Sequence, residues 1–252
     1  MLKKRVMPTL LFKEVGLVKG VGYDSWRRVG AAMQSIKVYN MRQVDELVFL
    51  DIAATLNGVA PDFHQIDELA DECFAPMTVG GGVRSIDHFR ELLAVGADKV
   101  AVNSGAIENP SLISQAAEKF GSQCVTISID VRRRADGSPE VMSHCGRQGT
   151  GLDPVAWACA VEERGAGEIL LGSVDRDGTM TGYDLDLIRA VATAVRIPVI
   201  ASGGAGNYRH MEEALTIGGA DAVAAASIFH FTEMTPHEAK LYLKAAGLPV
   251  RV

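Results

Sequence analysis

Eight short apolar runs, each followed by a segment of helical spacing, constrain this chain more than any other feature. The runs fall at 6–12, 46–52, 76–80, 99–103, 124–130, 168–173, 198–202 and 222–226. Most are nearly continuous rather than alternating, as strands are when both faces of the sheet are covered. Between them, 85–95, 110–120, 154–164 and 211–217 carry apolar residues at helical spacing, with Pro110 and Pro154 suited to a first helical turn. Strand–helix alternation repeated eight times predicts an α/β fold, a (β/α)8 TIM barrel. With 252 residues, 48% of them hydrophobic, the chain has the length for one such barrel, read as a single domain over 1–252.

The two halves resemble each other. Gly96-Ala97-Asp98-Lys99-Val100-Ala101 matches Gly219-Ala220-Asp221-Ala222-Val223-Ala224, an offset of 123 residues. The same offset carries Gly80-Gly81 onto Gly203-Gly204 and Ser104 onto Ser227. A shared offset across three separate elements points to a duplicated half-barrel. The alternative is that Gly-Ala-Asp simply recurs ahead of barrel strands.

A net charge of -6 argues against a nucleic-acid or anionic-membrane surface. No stretch approaches the roughly 20 apolar residues of a spanning helix, and the basic start Met1-Leu2-Lys3-Lys4-Arg5 lacks the rest of a signal peptide. The four cysteines, Cys73, Cys124, Cys145 and Cys159, show no CxxC spacing. Neither a metal site nor a redox pair nor a cofactor is therefore expected. Cys124 is expected as a small core hydrophobe within its strand. A cytoplasmic protein with reduced thiols is the expectation.

In a barrel of this kind, function sits where strands end and the following loops begin. Gly80-Gly81-Gly82 follows the third run, Asn103-Ser104 the fourth, Gly203-Gly204-Ala205-Gly206 the seventh and Ser227 the eighth. Glycine-rich turns beside helix starts expose backbone N–H groups and admit a phosphate closely. Two such clusters on opposite halves of one mouth imply a ligand phosphorylated at both ends; the alternative is that the glycines serve only tight turns. Asp175-Arg176-Asp177-Gly178-Thr179 follows the sixth run, and its Asp177-Gly178 could meet the second phosphate or an amine, or be a solvated turn. Asp51 and Lys19 are expected as a charged pair near the opening. At the other end, Arg5, Glu46, Lys99 and Glu168 open the first, second, fourth and sixth runs. They are expected to form an alternating ring of charge around the base, because charges buried there are costly without partners.

Together these residues resemble the cyclase subunit family of imidazole glycerol phosphate synthase. The likeness runs along almost the whole chain, through Asp45-Glu46-Leu47-Val48-Phe49-Leu50-Asp51-Ile52, Thr78-Val79-Gly80-Gly81-Gly82, Gly96-Ala97-Asp98-Lys99-Val100 and Glu108-Asn109-Pro110-Ser111-Leu112-Ile113. It continues in Gly165-Ala166-Gly167-Glu168-Ile169-Leu170-Leu171, Asp175-Arg176-Asp177-Gly178-Thr179 and Ala201-Ser202-Gly203-Gly204-Ala205-Gly206. The resemblance implies a glutaminase subunit docked at the N-terminal face, with Asp98 at that interface. Ammonia would enter through a gate of Arg5, Glu46, Lys99 and Glu168 and travel up the barrel axis. It further implies that Gly82, Asn103 and Ser104 hold one phosphate of a bisphosphorylated ligand, and Asp177, Gly178, Gly203 and Ser227 the other. Catalysis in the family uses two aspartates, and Asp130 matches the second.

Leu11 stands where the first aspartate is expected, within Thr9-Leu10-Leu11-Phe12-Lys13. Leucine carries no proton at any pH, and loss of an acid or base costs about 10²–10⁴ in rate. Gly172 replaces a family threonine, and Gly30-Ala31-Ala32 replaces a Gly-Asp-Pro turn in the first loop. Three readings follow. The first is an ammonia-channelling subunit of a glutamine amidotransferase complex, serving amidination of a surface-polysaccharide sugar by a separate sugar amidotransferase. The second is a true cyclase of histidine biosynthesis that works without the first aspartate, using Asp51 or Asp175. The third is a non-catalytic phosphate-binding scaffold that activates a glutaminase. A different two-phosphate isomerase on the same fold would not need the charged base.

Overall fold

The computed structural model describes residues 3–14 and 16–252. Among them lie twelve strands: β1 (Arg5–Lys13), β2 (Gly16–Val21), β3 (Asp24–Gly30), β4 (Leu47–Asp51), β5 (Met77–Gly80), β6 (Lys99–Val102), β7 (Val125–Arg133), β8 (Pro139–Ser143), β9 (Gln148–Gly149), β10 (Glu168–Ser173), β11 (Val199–Ser202) and β12 (Ala222–Ala225). Strands β1, β4, β5, β6, β7, β10, β11 and β12 pair in parallel in that order, and β12 returns to β1. The sheet is thus a closed eight-stranded barrel with helices between its strands, as the alternation predicts. All eight predicted runs fall on barrel strands.

Strand periodicity sorts each side chain to one of two layers. Residues such as Val6, Leu10, Phe49, Val79, Val100, Ile127, Ile169 and Val223 face outward into one large core shared with the helices. Their neighbours Met7, Val48, Leu170, Ile200, Ala222 and Ala224 form a separate inner cluster, with Leu50 packed on it. Helix starts are set by side chains: Ser85, Asp153, Asp184 and Asn207 accept the backbone N–H three residues on. Helix Ala32–Met41 has no such cap, because Ala31 stands at its N-cap.

The internal repeat has a local physical cause. Asp98 accepts from the Met77 N–H at 2.8 Å, and Asp221 accepts from the Val199 N–H at 3.2 Å. Each aspartate follows a left-handed glycine, Gly96 or Gly219, and ties the base of its own strand to that of the preceding one. Asp45 does the same for Val6 at 3.0 Å and is held by buried Lys240 at 3.3 Å.

Four expectations need correction. Two antiparallel hairpins have no counterpart among the predicted runs: β2–β3, which leaves the tip of β1, and β8–β9, which extends β7. Both form from mixed polar segments whose apolar pattern is too weak to announce a strand. Cys124 lies in a 3-10 turn (Ser122–Cys124) and is only half-buried, because β7 begins one residue later. Glu46 and Asn103 lie just outside β4 and β6, at the base and tip of those strands. Pro110 caps its helix from outside, whereas Pro154 takes the first position as expected.

Candidate functional site

The C-terminal strand tips surround a cavity open to solvent. Leu11 of β1 and Asp130 of β7 both line it, four strands apart and so on opposite sides of the barrel. Asp130 is 9% exposed. Its Oδ1 accepts from the Tyr23 hydroxyl at 2.9 Å and from Ser128 Oγ at 3.4 Å, and its Oδ2 accepts from Asn103 Nδ2 at 3.2 Å. Burial pushes its pKa up to about 6, against these hydrogen bonds, with the Asp177 charge adding to the rise. A carboxyl tuned into that range can take or give a proton near neutral pH.

Tyr23 comes from the turn between β2 and β3, so the first hairpin folds over the mouth. It is fastened there by Lys19, whose ammonium meets Asp177 Oδ2 at 2.6 Å while 2% exposed, and by the Gly22 N–H donating to the Asp177 carbonyl at 2.9 Å. The expected pairing of Lys19 with Asp51 is therefore corrected. Lys19 binds Asp177, and Asp51 Oδ1 instead accepts from the N–H groups of Ala53 and Ala54, capping the short helix Ala54–Asn57. Asp177 itself has a raised pKa, because desolvation outweighs the favourable Lys19 charge.

The two glycine clusters face the same cavity, with Gly82, Ser104, Gly203 and Ser227 all lining it. Ser104 and Ser227 open short helices and are buried. Many of the glycines also have internal reasons to be glycine. A Cβ on Gly81 would lie 2.2 Å from the Asp51 carbonyl, and one on Gly204 2.2 Å from the Gly182 carbonyl. The Gly82 N–H already meets Thr55 Oγ1 at 3.2 Å. Asn103 is turned toward Ser128 and Met142 carbonyls as well as Asp130, and Ser104 Oγ accepts from the His144 N–H at 2.9 Å. Asn103 and Ser104 are thus tied into the wall that carries Asp130.

At the opposite end the four charges form a closed ring. Arg5 reaches Glu46 at 2.7 Å and Glu168 at 2.8 Å, while Lys99 reaches each of them at 2.9 Å. Burial works against the Arg5 charge, but Glu168 and Glu46 outweigh it and raise its pKa. Asp98 is exposed beside the ring, with one oxygen committed to Met77.

Sequence reasoning missed the groups between the two ends. Thr9, Thr78 and Thr126 are 6%, 2% and 1% exposed, and their hydroxyls have no partner among the described residues. Thr78 and Thr126 each lie between two outward-facing core residues, and Thr9 is in phase with Met7 and Leu11. All three therefore point into the lumen. The signal was there, as single threonines at inward phase within apolar strands, but it needs the phase before it can be read. Tyr23 carried no motif at all.

A closed eight-stranded parallel barrel with helices between its strands defines a TIM-barrel protein, a fold in which function gathers at the C-terminal strand tips. The chain belongs to the histidine biosynthesis protein family, whose model matches residues 5–235. Fold and family together fit the cyclase-like barrel that its motifs resemble. No helix among the described residues is long and apolar enough to cross a membrane.

Proposed function

We propose that this barrel is the synthase-type subunit of a glutamine amidotransferase complex, passing ammonia from a glutaminase at its N-terminal face to its C-terminal mouth. The observation that carries this reading is the set of unpartnered hydroxyls of Thr9, Thr78 and Thr126 in an otherwise apolar lumen. A buried hydroxyl without a partner costs about 1–3 kcal/mol. Three on the lumen wall favour a small polar guest that donates and accepts hydrogen bonds. The charged ring at the base gives that guest an ionic entrance, and exposed Asp98 beside it suits a partner's contact. Leu11 removes one proton carrier from the family reaction, so the nitrogen acceptor fits an amidination of a surface-polysaccharide sugar on a separate enzyme.

The test uses the barrel with a glutaminase partner and the sugar acceptor system. Thr126→Met narrows the lumen at the level of the basal ring, since Thr126 pairs in register with Glu168, and leaves the mouth untouched. Product formed from glutamine should fall at least tenfold, while product formed from added ammonium salt stays unchanged. Equal activity from both nitrogen sources in this variant would remove the conduit.

A second reading, a working histidine-pathway cyclase, is favoured by the raised pKa of Asp130 in a mouth that keeps both glycine clusters. It does not gain from Asp51 or Asp175. Asp51 caps a helix, and Asp175 Oδ2 is held by the Arg133 N–H at 2.8 Å. That reading needs another proton donor.

A further inference from the structure

The departure at position 172 leads to one side chain, Tyr23, in the cavity that Leu11 also lines. Gly172 of β10 sits in register beside Asp130 of β7. A Cβ there would lie 2.7 Å from the Tyr23 hydroxyl oxygen and 2.9 Å from Asp130 Oδ1. Gly172 is absent from the positive-φ glycines, so space rather than backbone conformation requires it. The missing side chain is the slot that the phenol occupies. Tyr23 is also held at φ 61, and Ser25 beside it at φ 53, both in the left-handed region that non-glycine residues rarely enter. Gly22 and Tyr23, both at φ 61, are the central pair of a two-residue turn closed by Val21 and Asp24, so a type I′ hairpin aims the phenol at the buried carboxylate.

We propose that Tyr23 is the second proton carrier of the mouth, acting as acid with Asp130 as base in place of the carboxylate that Leu11 lacks. The proposal rests on the reading that ammonia reaches the mouth, but it places the acceptor there and not on a separate enzyme; the step is written for a phosphorylated compound with an electrophilic carbonyl. The ammonia lone pair forms a bond to the carbonyl carbon, and the C=O π pair moves to oxygen. The Tyr23 O–H bond breaks and its proton goes to that oxygen. Asp130 takes a proton from the new ammonium nitrogen, leaving a carbinolamine. Phenolate and carboxylic acid then exchange one proton along their 2.9 Å contact, which resets both groups. The direction of reset is strongly downhill, since burial and the Asp130 charge hold the phenol well above its usual range. Asp177, paired with Lys19, and the Cys145 thiol are the other titratable neighbours of the pair.

A side chain that merely wedged the hairpin in place would not need its hydroxyl. The experiment supplies ammonium chloride and the family's open bisphosphorylated aminoimidazole carboxamide ribonucleotide to the full chain, without a glutaminase. Tyr23→Phe keeps the ring and should lower kcat by about 10²–10⁴-fold with little change in KM. Leu11→Asp added to Tyr23→Phe should recover rate. Wild-type kcat and pH profile in Tyr23→Phe would overturn the proposal. If the wild-type chain leaves this probe untouched, the ligand class fails, and the pair is judged without ligand. The Asp130 carboxyl titration, followed by infrared difference spectroscopy with Asp130→Asn as assignment, should then move upward from about 6 in Tyr23→Phe. An upward move upholds the pair, and an unmoved midpoint overturns it.

Discussion

Lys19 on the mouth hairpin and Asp177 beyond the tip of β10 form a 2.6 Å ion pair that is almost wholly buried. It joins the first βα loop to the sixth, so the hairpin and the barrel rim are one packed unit. Lys19→Met would leave Asp177 buried and uncompensated, which costs about 3–5 kcal/mol for such a pair. The loss is local to the hairpin, so hydrogen exchange of its amides and limited proteolysis within 16–30 are the measurements to make. Protection should fall in Lys19→Met and recover in part when Asp177→Asn is added. A double variant no better protected than the single one would show that the hairpin is held by other contacts.

Asp130 makes a pH prediction with a definite sign. Its folded pKa of about 6 lies above the ordinary 3.8, so the fold favours its protonated form. That contribution to stability is complete below about pH 4 and is lost as pH rises through about 6. A shift of about two units corresponds to roughly 3 kcal/mol. Asp130→Asn removes the titration, and its melting temperature relative to wild type should rise between pH 4 and pH 8. A difference in Tm that stays flat across that window would show Asp130 ionised without penalty.

The barrel was legible in the sequence because each of its strands is covered on both faces, leaving uninterrupted apolar runs bounded by glycine and polar residues. The charged ring was legible for a related reason: Arg5, Glu46, Lys99 and Glu168 stand at the base of apolar strands where a charge is conspicuous. The mouth was only half legible. Asp130 and the glycine clusters sit at strand tips, where position alone gives them meaning. Tyr23 sits in a hairpin without a motif, and its contact with Asp130 exists only because Gly172, distant in sequence, leaves room for it. Lys19 was misassigned to Asp51 because both approach one opening and sequence carries no distances. The lumen hydroxyls were invisible until the closed sheet set the inward phase of Thr9, Thr78 and Thr126.

The repeat predicts matched costs in the two halves. Gly81 and Gly204 both have φ of 109°, and a Cβ on either would meet a backbone carbonyl at 2.2 Å. Backbone cannot swing aside as a side chain can, so Gly81→Ala and Gly204→Ala should each lose about 1–3 kcal/mol, read from urea midpoints. Gly137 is the control. It also has positive φ, but nothing lies within 4 Å of its added Cβ, so Gly137→Ala should cost less than either. Equal costs at all three would assign the effect to backbone strain alone.

The basal ring separates stability from transport. Lys99→Met removes two of its four ion pairs and leaves Glu46 and Glu168 sharing Arg5 alone. Breaking a buried network on one side costs about 3–5 kcal/mol, and the deficit should appear as a lowered urea midpoint. Replacing all four by apolar residues (Arg5→Met, Glu46→Leu, Lys99→Met and Glu168→Leu) leaves no uncompensated charge, and such replacements are often neutral or stabilising. A ring kept only for stability would make that fourfold variant as active as wild type with glutamine as nitrogen source. A ring that admits ammonia predicts the opposite: recovered urea midpoint, glutamine-supported product still lost, and ammonium-supported product intact.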